Sequence, residues 1–287
     1  MQNVFHIGIP KSGTTTIQQT LANDNRIVVT RSRHFTSKDW WCSENNRNNK
    51  NKLIIESNET LISGGFQKVK FSQVVERMYK TNKNAKIIIT IREQESALLS
   101  MYKYHINNNF EGVKSLENWM YNTNLGMDYL SICMYGNIAK ILLSYFNHKQ
   151  IHFLFFEELK KDPLIFYEKF YSILDIPFKK ENMGKKALNV MPFNSNQLYT
   201  LAKFNNFSIS KVKASGQYKF SKIRSFENRI KKGVIRRFNF KAPYSFFSFE
   251  GIKGFLKVKK DFEHSNSTLL DLGFVTKEQL ETYKYPY

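Results

Sequence analysis

The sequence predicts an α/β fold in which a central parallel sheet is flanked by helices. Short apolar or β-branched runs (Val4 to Gly8, Leu53 to Ile55, Lys86 to Ile91, Ile151 to Phe156) alternate with longer segments of helical periodicity. Lys86 to Ile91 shows no polar alternation after its first residue, as expected of a parallel strand covered on both faces. Most of these runs lead into a helical segment, and parallel strands joined in this way take right-handed crossovers.

Taken in order, Val4 to Gly8 is the first strand. A tight polar turn follows it, and Thr14 to Asn23 has the apolar spacing of a helix. The Asn-rich stretch Ser43 to Lys52 reads as a surface loop, Leu53-Ile54-Ile55 as a short buried strand and Phe71 to Thr81 as a helix. The strand Lys86 to Ile91 runs into a helix over Gln94 to His105. Helices are expected at Leu116 to Tyr121 and Tyr129 to Phe146, then the strand Ile151 to Phe156 and a helix from Pro163 to Leu174 with proline at its start. Beyond about residue 190 the pattern becomes helical and irregular, with no internal repeat and no heptad run.

A chain of 287 residues accommodates one large α/β domain or two small ones. Hydrophobic residues at 41% and aromatics at 15% favour one ordered domain over residues 1–287 and exclude collagen-like or largely disordered readings. Within it, residues 1–177 read as an α/β core and 178–287 as a helical, basic part. Cys42 and Cys133 are too few for a disulfide framework or a zinc site, so they read as reduced thiols. A signal peptide is not recognisable at the start, and the apolar runs are far short of a spanning helix, which predicts a cytoplasmic protein.

The formal charge of +20 concentrates anionic ligands: nucleotides, phospholipid headgroups, acidic glycans or nucleic acid. The charge gathers between Lys203 and Lys260, where only Glu227 and Glu250 oppose it. Abundant Asn, Lys, Ile, Phe and Tyr also fit a compositionally biased genome, which would raise Lys without selection for binding.

The chemistry is read from the turn after the first strand, Pro10-Lys11-Ser12-Gly13-Thr14-Thr15-Thr16. Backbone N–H groups at a helix start, with the positive end of its dipole, form an anion site. Gly13 lets the backbone approach a ligand closely, Ser12 and the threonines offer hydroxyls, and Lys11 adds a mobile positive charge. A phosphate or a sulfate fits this description. The phosphate loop of nucleoside triphosphatases does not match, because here the lysine precedes the glycine.

Gly8-Ile9-Pro10-Lys11-Ser12-Gly13-Thr14-Thr15 resembles the 5′-phosphosulfate-binding loop of the sulfotransferase family. Two further segments stand in that family's order. Arg92 ends the strand Lys86 to Ile91 and Ser100 follows eight residues later, which resembles the family's 3′-phosphate site; an arginine can grip a phosphate bidentately. Phe153 to Pro163 resembles its strand, turn and Pro-led helix, and serves as fold support. The resemblance covers residues 3 to 177 and implies a P-loop-like three-layer sandwich, an enzyme and the donor 3′-phosphoadenosine-5′-phosphosulfate (PAPS), with adenosine 3′,5′-bisphosphate as product and no metal. The last third matches only loosely. Lys213-Ala214-Ser215-Gly216-Gln217-Tyr218 is a candidate for the family's C-terminal donor loop, and residues 178–287 would cover donor and acceptor.

The resemblance implies Lys11 as the group that neutralises the leaving oxygen. It also implies a general base, which is Glu in the glycan-modifying branch and His in others. Glu59, just past the second predicted strand, resembles the position of that Glu, with Glu56 as its rival and His34 and His105 as weaker candidates. A sugar hydroxyl of a surface polysaccharide or its precursor is the favoured acceptor, and a small alcohol or phenol the alternative. The basic segment, with Tyr218, Phe220, Phe238, Phe240, Tyr244, Phe246 and Phe247 interleaved, also admits a nucleic-acid-binding module or a peripheral contact with an anionic membrane.

Overall fold

A computed structural model describes residues 3–31, 34–36, 52–63, 69–108, 115–184, 193–205 and 240–287, with Gly233, Ile235 and Arg237. Cys42, nearly all of the loop expected over Ser43 to Lys52, the segment Lys213 to Tyr218, Phe220, Phe238 and many of the basic residues after Lys203 lie outside the described residues.

Five parallel strands form the sheet: β1 (Asn3–His6), β2 (Ile27–Thr30), β3 (Leu53–Ser57), β4 (Lys86–Ile91) and β5 (Ile151–Phe155), in the order β2-β3-β1-β4-β5. The helices are α1 (Thr14–Ala22), α2 (Phe71–Thr81), α3 (Gln94–Asn108), α4 (Leu116–Asn122), α5 (Asn124–Ile132), α6 (Tyr135–Leu143), α7 (Phe156–Lys161), α8 (Pro163–Ile173), α9 (Ser195–Asn205), α10 (Phe255–Asp271) and α11 (Lys277–Thr282). The expected α/β class, a parallel sheet flanked by helices, is the observed one.

The chain divides into two compact units. One comprises Met1–Gln94, Ile132–Asn189 and Lys259–Tyr287 and contains the sheet. Its strands alternate side chains between the two faces. Val4, Ile27, Ile55, Ile88 and Leu154 share a core with Ile17 and Leu21 of α1, Leu159 of α7 and Phe166, Tyr167, Phe170 and Tyr171 of α8. The alternate positions Phe5, Ile54, Ile87, Ile89 and Phe153 are buried as well, with Phe5 meeting Phe35 edge to face at 5.4 Å. Side chains of this size each contribute about 1.5–3 kcal/mol on full burial, so covering both faces is what holds a parallel sheet together. Asp162 caps α8 through the amides of Leu164 and Ile165, with Pro163 at the first helical position.

The other unit comprises Glu95–Ser131 and Val190–Val258. It is organised around Trp119, whose Nε1 donates to Nδ1 of His105 at 2.6 Å and whose ring lies 5.8 Å from Tyr102. His105 is 1% exposed, and burial holds its pKa down at about 3, so it serves the core as a neutral hydrogen-bond acceptor. Gly126 allows α4 and α5 to meet, since a Cβ there would lie 1.8 Å from the Trp119 carbonyl oxygen.

Three elements differ from expectation, the first being the turn read before Pro163, which is the helix α7. Ile27–Thr30 forms an unanticipated edge strand, only four residues long and half-exposed after Ile27. The single helix expected over Tyr129 to Phe146 is broken between α5 and α6. Met134 leaves the helical region (φ −85°, ψ 75°), and the amide of Gly136 donates to the Ser265 hydroxyl oxygen at 2.9 Å where α10 passes too closely for a Cβ.

Candidate active site

Strand order explains why distant residues meet. β3, β1 and β4 are neighbours, so the chain leaving their C-terminal ends emerges side by side, carrying Glu59, Lys11 and Arg92 respectively. Open parallel sheets place ligands at these ends.

After β1, Ile7 and Ile9 continue to pair with β4 through the carbonyls of Ile88 and Thr90. The chain then turns sharply: the Ser12 amide and hydroxyl both donate to the Ile9 carbonyl, at 3.2 and 2.6 Å. Lys11 (φ 72°) and Gly13 (φ 82°) adopt left-handed conformations, a geometry that turns successive amides toward one side as an anion cradle. Gly13 has a second reason to be glycine, because a Cβ there would fall 2.7 Å from Leu159 Cδ2 and 3.1 Å from the Phe156 ring. The segment read as fold support therefore presses α7 directly against the loop.

Gly13 caps α1, whose first turn holds Thr14, Thr15 and Thr16 and contains no acidic residue. Its opening amides and dipole suit an anion. Ser12 is fully buried and its hydroxyl is committed to the loop's own closure, so its hydroxyl shapes the turn.

Glu59 sits in the turn after β3. Asn58 fixes that turn: its amide donates to the His6 carbonyl at 3.0 Å, and its Oδ1 accepts the amide and hydroxyl of Thr60. Burial raises the Glu59 pKa above the usual carboxylate value, while Lys11, Arg31 and Thr14 hold it down. The Thr14 hydroxyl is buried without a well-formed hydrogen bond and lies close enough to steady the Glu59 charge. Burial lowers the Lys11 pKa, with Glu59 opposing that shift and Arg92 adding to it. Lys11 thus lies within electrostatic reach of both Glu59 and Arg92.

Arg92 donates from its guanidinium to the Lys11 carbonyl at 2.9 Å and lies 4.8 Å over the Phe156 ring. Glu56 lies within β3, where its carboxylate accepts from the Thr30 hydroxyl at 2.7 Å. Ser100 is half-buried on α3, in the second compact unit.

One central residue was not singled out from the sequence. His6, fully buried, links three strands: its Nδ1 lies 2.8 Å from Ser57 Oγ of β3 and its Nε2 3.0 Å from Thr90 Oγ1 of β4. Burial lowers its pKa to about 3, so the ring is neutral. Gln18 of α1 joins the network by donating to the Ser57 carbonyl at 2.7 Å. The signal available in the sequence was a lone imidazole inside an otherwise apolar strand.

Residues 2–240 match the sulfotransferase domain family. The chain belongs to that family. As a sulfotransferase it is a group-transfer enzyme. Its fold is similar to that of a sulfotransferase from Alicyclobacillus acidocaldarius, at 15% identity and a TM-score of 0.52, covering 72% of this chain and 94% of the other. It is similar also to mouse sulfotransferase SULT7A1, solved in complex with PAP, at 17% identity and a TM-score of 0.51, covering 98% of this chain and 89% of the other. No curated protein matches in sequence.

Among the described residues of this sulfotransferase, no helix is long and apolar enough to cross a membrane. No group of three or more His, Cys, Asp or Glu side chains gathers there in a way that would hold a metal ion.

Proposed function

We propose that this enzyme transfers the sulfuryl group of PAPS to a hydroxyl of a carbohydrate acceptor. The observation that carries the reading is the convergence of Lys11, Glu59 and Arg92 from the ends of β1, β3 and β4, beside the amide cradle that opens α1.

In this reading the cradle of residues 10–16 and the start of α1 bind the donor's 5′-phosphosulfate, and Arg92 binds its 3′-phosphate. The donor supplies an activated sulfur whose bond to the bridging phosphate oxygen breaks as the acceptor oxygen bonds to it. Lys11 neutralises the charge that develops on that bridging oxygen, which leaves on adenosine 3′,5′-bisphosphate. Glu59 takes the acceptor's proton. The raised pKa of Glu59 suits it to this work, because a more basic carboxylate accepts a proton more readily while ionised. Their mutual attraction opposes the effect of burial on both Lys11 and Glu59.

A carboxylate base at this position supports a sugar hydroxyl as acceptor, and the high positive charge suits an anionic glycan or its lipid-linked precursor at the inner face of a membrane. The deciding experiment is transfer from radiolabelled PAPS to a panel of glycans and phenols, comparing the unaltered enzyme with Lys11→Ala. A loss of at least about a hundredfold in kcat is expected, the scale seen when one stabilising group at a developing anion is removed. Near-normal turnover by Lys11→Ala would overturn the assignment, and labelling of phenols alone would overturn the carbohydrate acceptor.

A further inference from the structure

The peptide group joining Arg92 to Glu93 is held from both sides within the sheet-containing unit. The Tyr135 hydroxyl donates to the Arg92 carbonyl, and the Glu93 amide donates to Glu157 Oε1 at 2.9 Å. The other Glu157 oxygen, Oε2, accepts the hydroxyl of Tyr285 at 3.0 Å. The next residue, Gln94, is buried and exchanges amide hydrogen bonds with Asn266 at 2.8 and 3.3 Å, and Asn266 also donates to the Pro286 carbonyl at 2.6 Å. Both paths end in the last residues of the chain.

Tyr285 is not a loosely attached tail residue. It is 3% exposed, meets Phe155 edge to face at 5.3 Å and lies 6.3 Å from the Tyr135 ring. Glu157 is half-buried and close enough to Arg92 for the two charges to interact. The carboxylate therefore has two calls on it: its hydrogen bonds to Glu93 and Tyr285, and the neighbouring guanidinium. Bound to Tyr285, it is held on the backbone side, which leaves the guanidinium directed to the Lys11 carbonyl and the loop.

We propose that Tyr285, acting through Glu157, is a positioning residue that keeps Arg92 available to the donor's 3′-phosphate. This rests on the reading of Arg92 given above. Removing the hydroxyl loosens the 92–93 peptide and frees a carboxylate to pair with Arg92 in competition with the phosphate. A competitor of that kind weakens ligands that carry a 3′-phosphate and leaves others alone, which a general loss of packing does not do.

Equilibrium binding of PAPS and of adenosine 5′-phosphosulfate, which lacks only the 3′-phosphate, separates these cases when measured without acceptor on the full chain. Tyr285→Phe keeps the ring and is expected to weaken PAPS about tenfold, the order of one hydrogen bond to a charged group, with adenosine 5′-phosphosulfate changed by less than about twofold. Adding Glu157→Gln to Tyr285→Phe removes the competing charge and keeps an acceptor for the Glu93 amide, so PAPS affinity returns. Tyr135→Phe, which loosens the same peptide from its other side, shows the same ligand-selective loss and serves if Tyr285→Phe does not fold. Equal weakening of both ligands, no weakening, or no rescue by Glu157→Gln would overturn the proposal. Arg92→Ala tells its failure from that of the underlying reading: if Arg92→Ala keeps the preference for PAPS, the 3′-phosphate assignment is wrong and the role of Tyr285 falls with it.

Discussion

The three-strand link made by His6 predicts an acid sensitivity whose size follows from burial. The imidazole accepts no proton in the folded chain until pH falls to about 3, whereas in the unfolded chain it titrates near 6.5. Between those values the unfolded state binds a proton that the folded state does not, so stability is fully present above pH 6.5 and is lost as pH falls. The slope is about 1.4 kcal/mol per pH unit for one such group, or about 2 kcal/mol between pH 6.5 and 5. His105 in the other unit adds a second term of the same sign. Urea denaturation followed by circular dichroism at pH 7, 6 and 5 measures it. His6→Gln offers a donor and an acceptor but does not titrate, so it should reduce the slope by about 1.4 kcal/mol per pH unit whatever it does to stability at pH 7. An unchanged slope in His6→Gln would refute the reasoning, because the proton uptake would then belong to other groups.

Gly13→Ala combines a left-handed backbone with a 2.7 Å clash against Leu159, so a loss of about 2 kcal/mol or more is expected in thermal unfolding; a neutral result would mean that α7 yields easily. For Glu59, the pH profile of kcat/KM should carry an acid limb above the usual carboxylate value of 4.5, since burial raises its pKa and the base is lost as pH falls through it. Glu59→Gln should cost about a hundredfold or more and abolish that limb, and a limb that persists in the variant would assign it to another group.

Much of this architecture was readable from residue patterns. β4 and β5 were recognisable because strands buried on both faces need long apolar runs, and the loop at Lys11 because its residue types state its chemistry. β2 escaped notice because an edge strand buries little: four residues between Arg26 and Arg31 make a weak signal. The break at Met134 is imposed by α10, more than a hundred residues further on, so no local pattern marks it. The candidate residues were nameable one by one and not as a constellation. That Glu59 and Arg92 flank Lys11 depends on strand order, with β1 between β3 and β4, and a motif carries no information about which strands are neighbours. The commitment of the Ser12 hydroxyl to Ile9, and the hold of Tyr285 on Glu157, are likewise tertiary facts.

Lys11 holds a backbone conformation that glycine adopts freely and that a residue with a side chain reaches at a cost of about 1–2 kcal/mol. On the role proposed for Lys11, folding and turnover favour different residues at this one position. Selection for thermal tolerance alone would then drift toward glycine at 11 and selection for sulfuryl transfer would restore the lysine, so that under this proposal the turn is a place where chemistry sets the enzyme's stability ceiling.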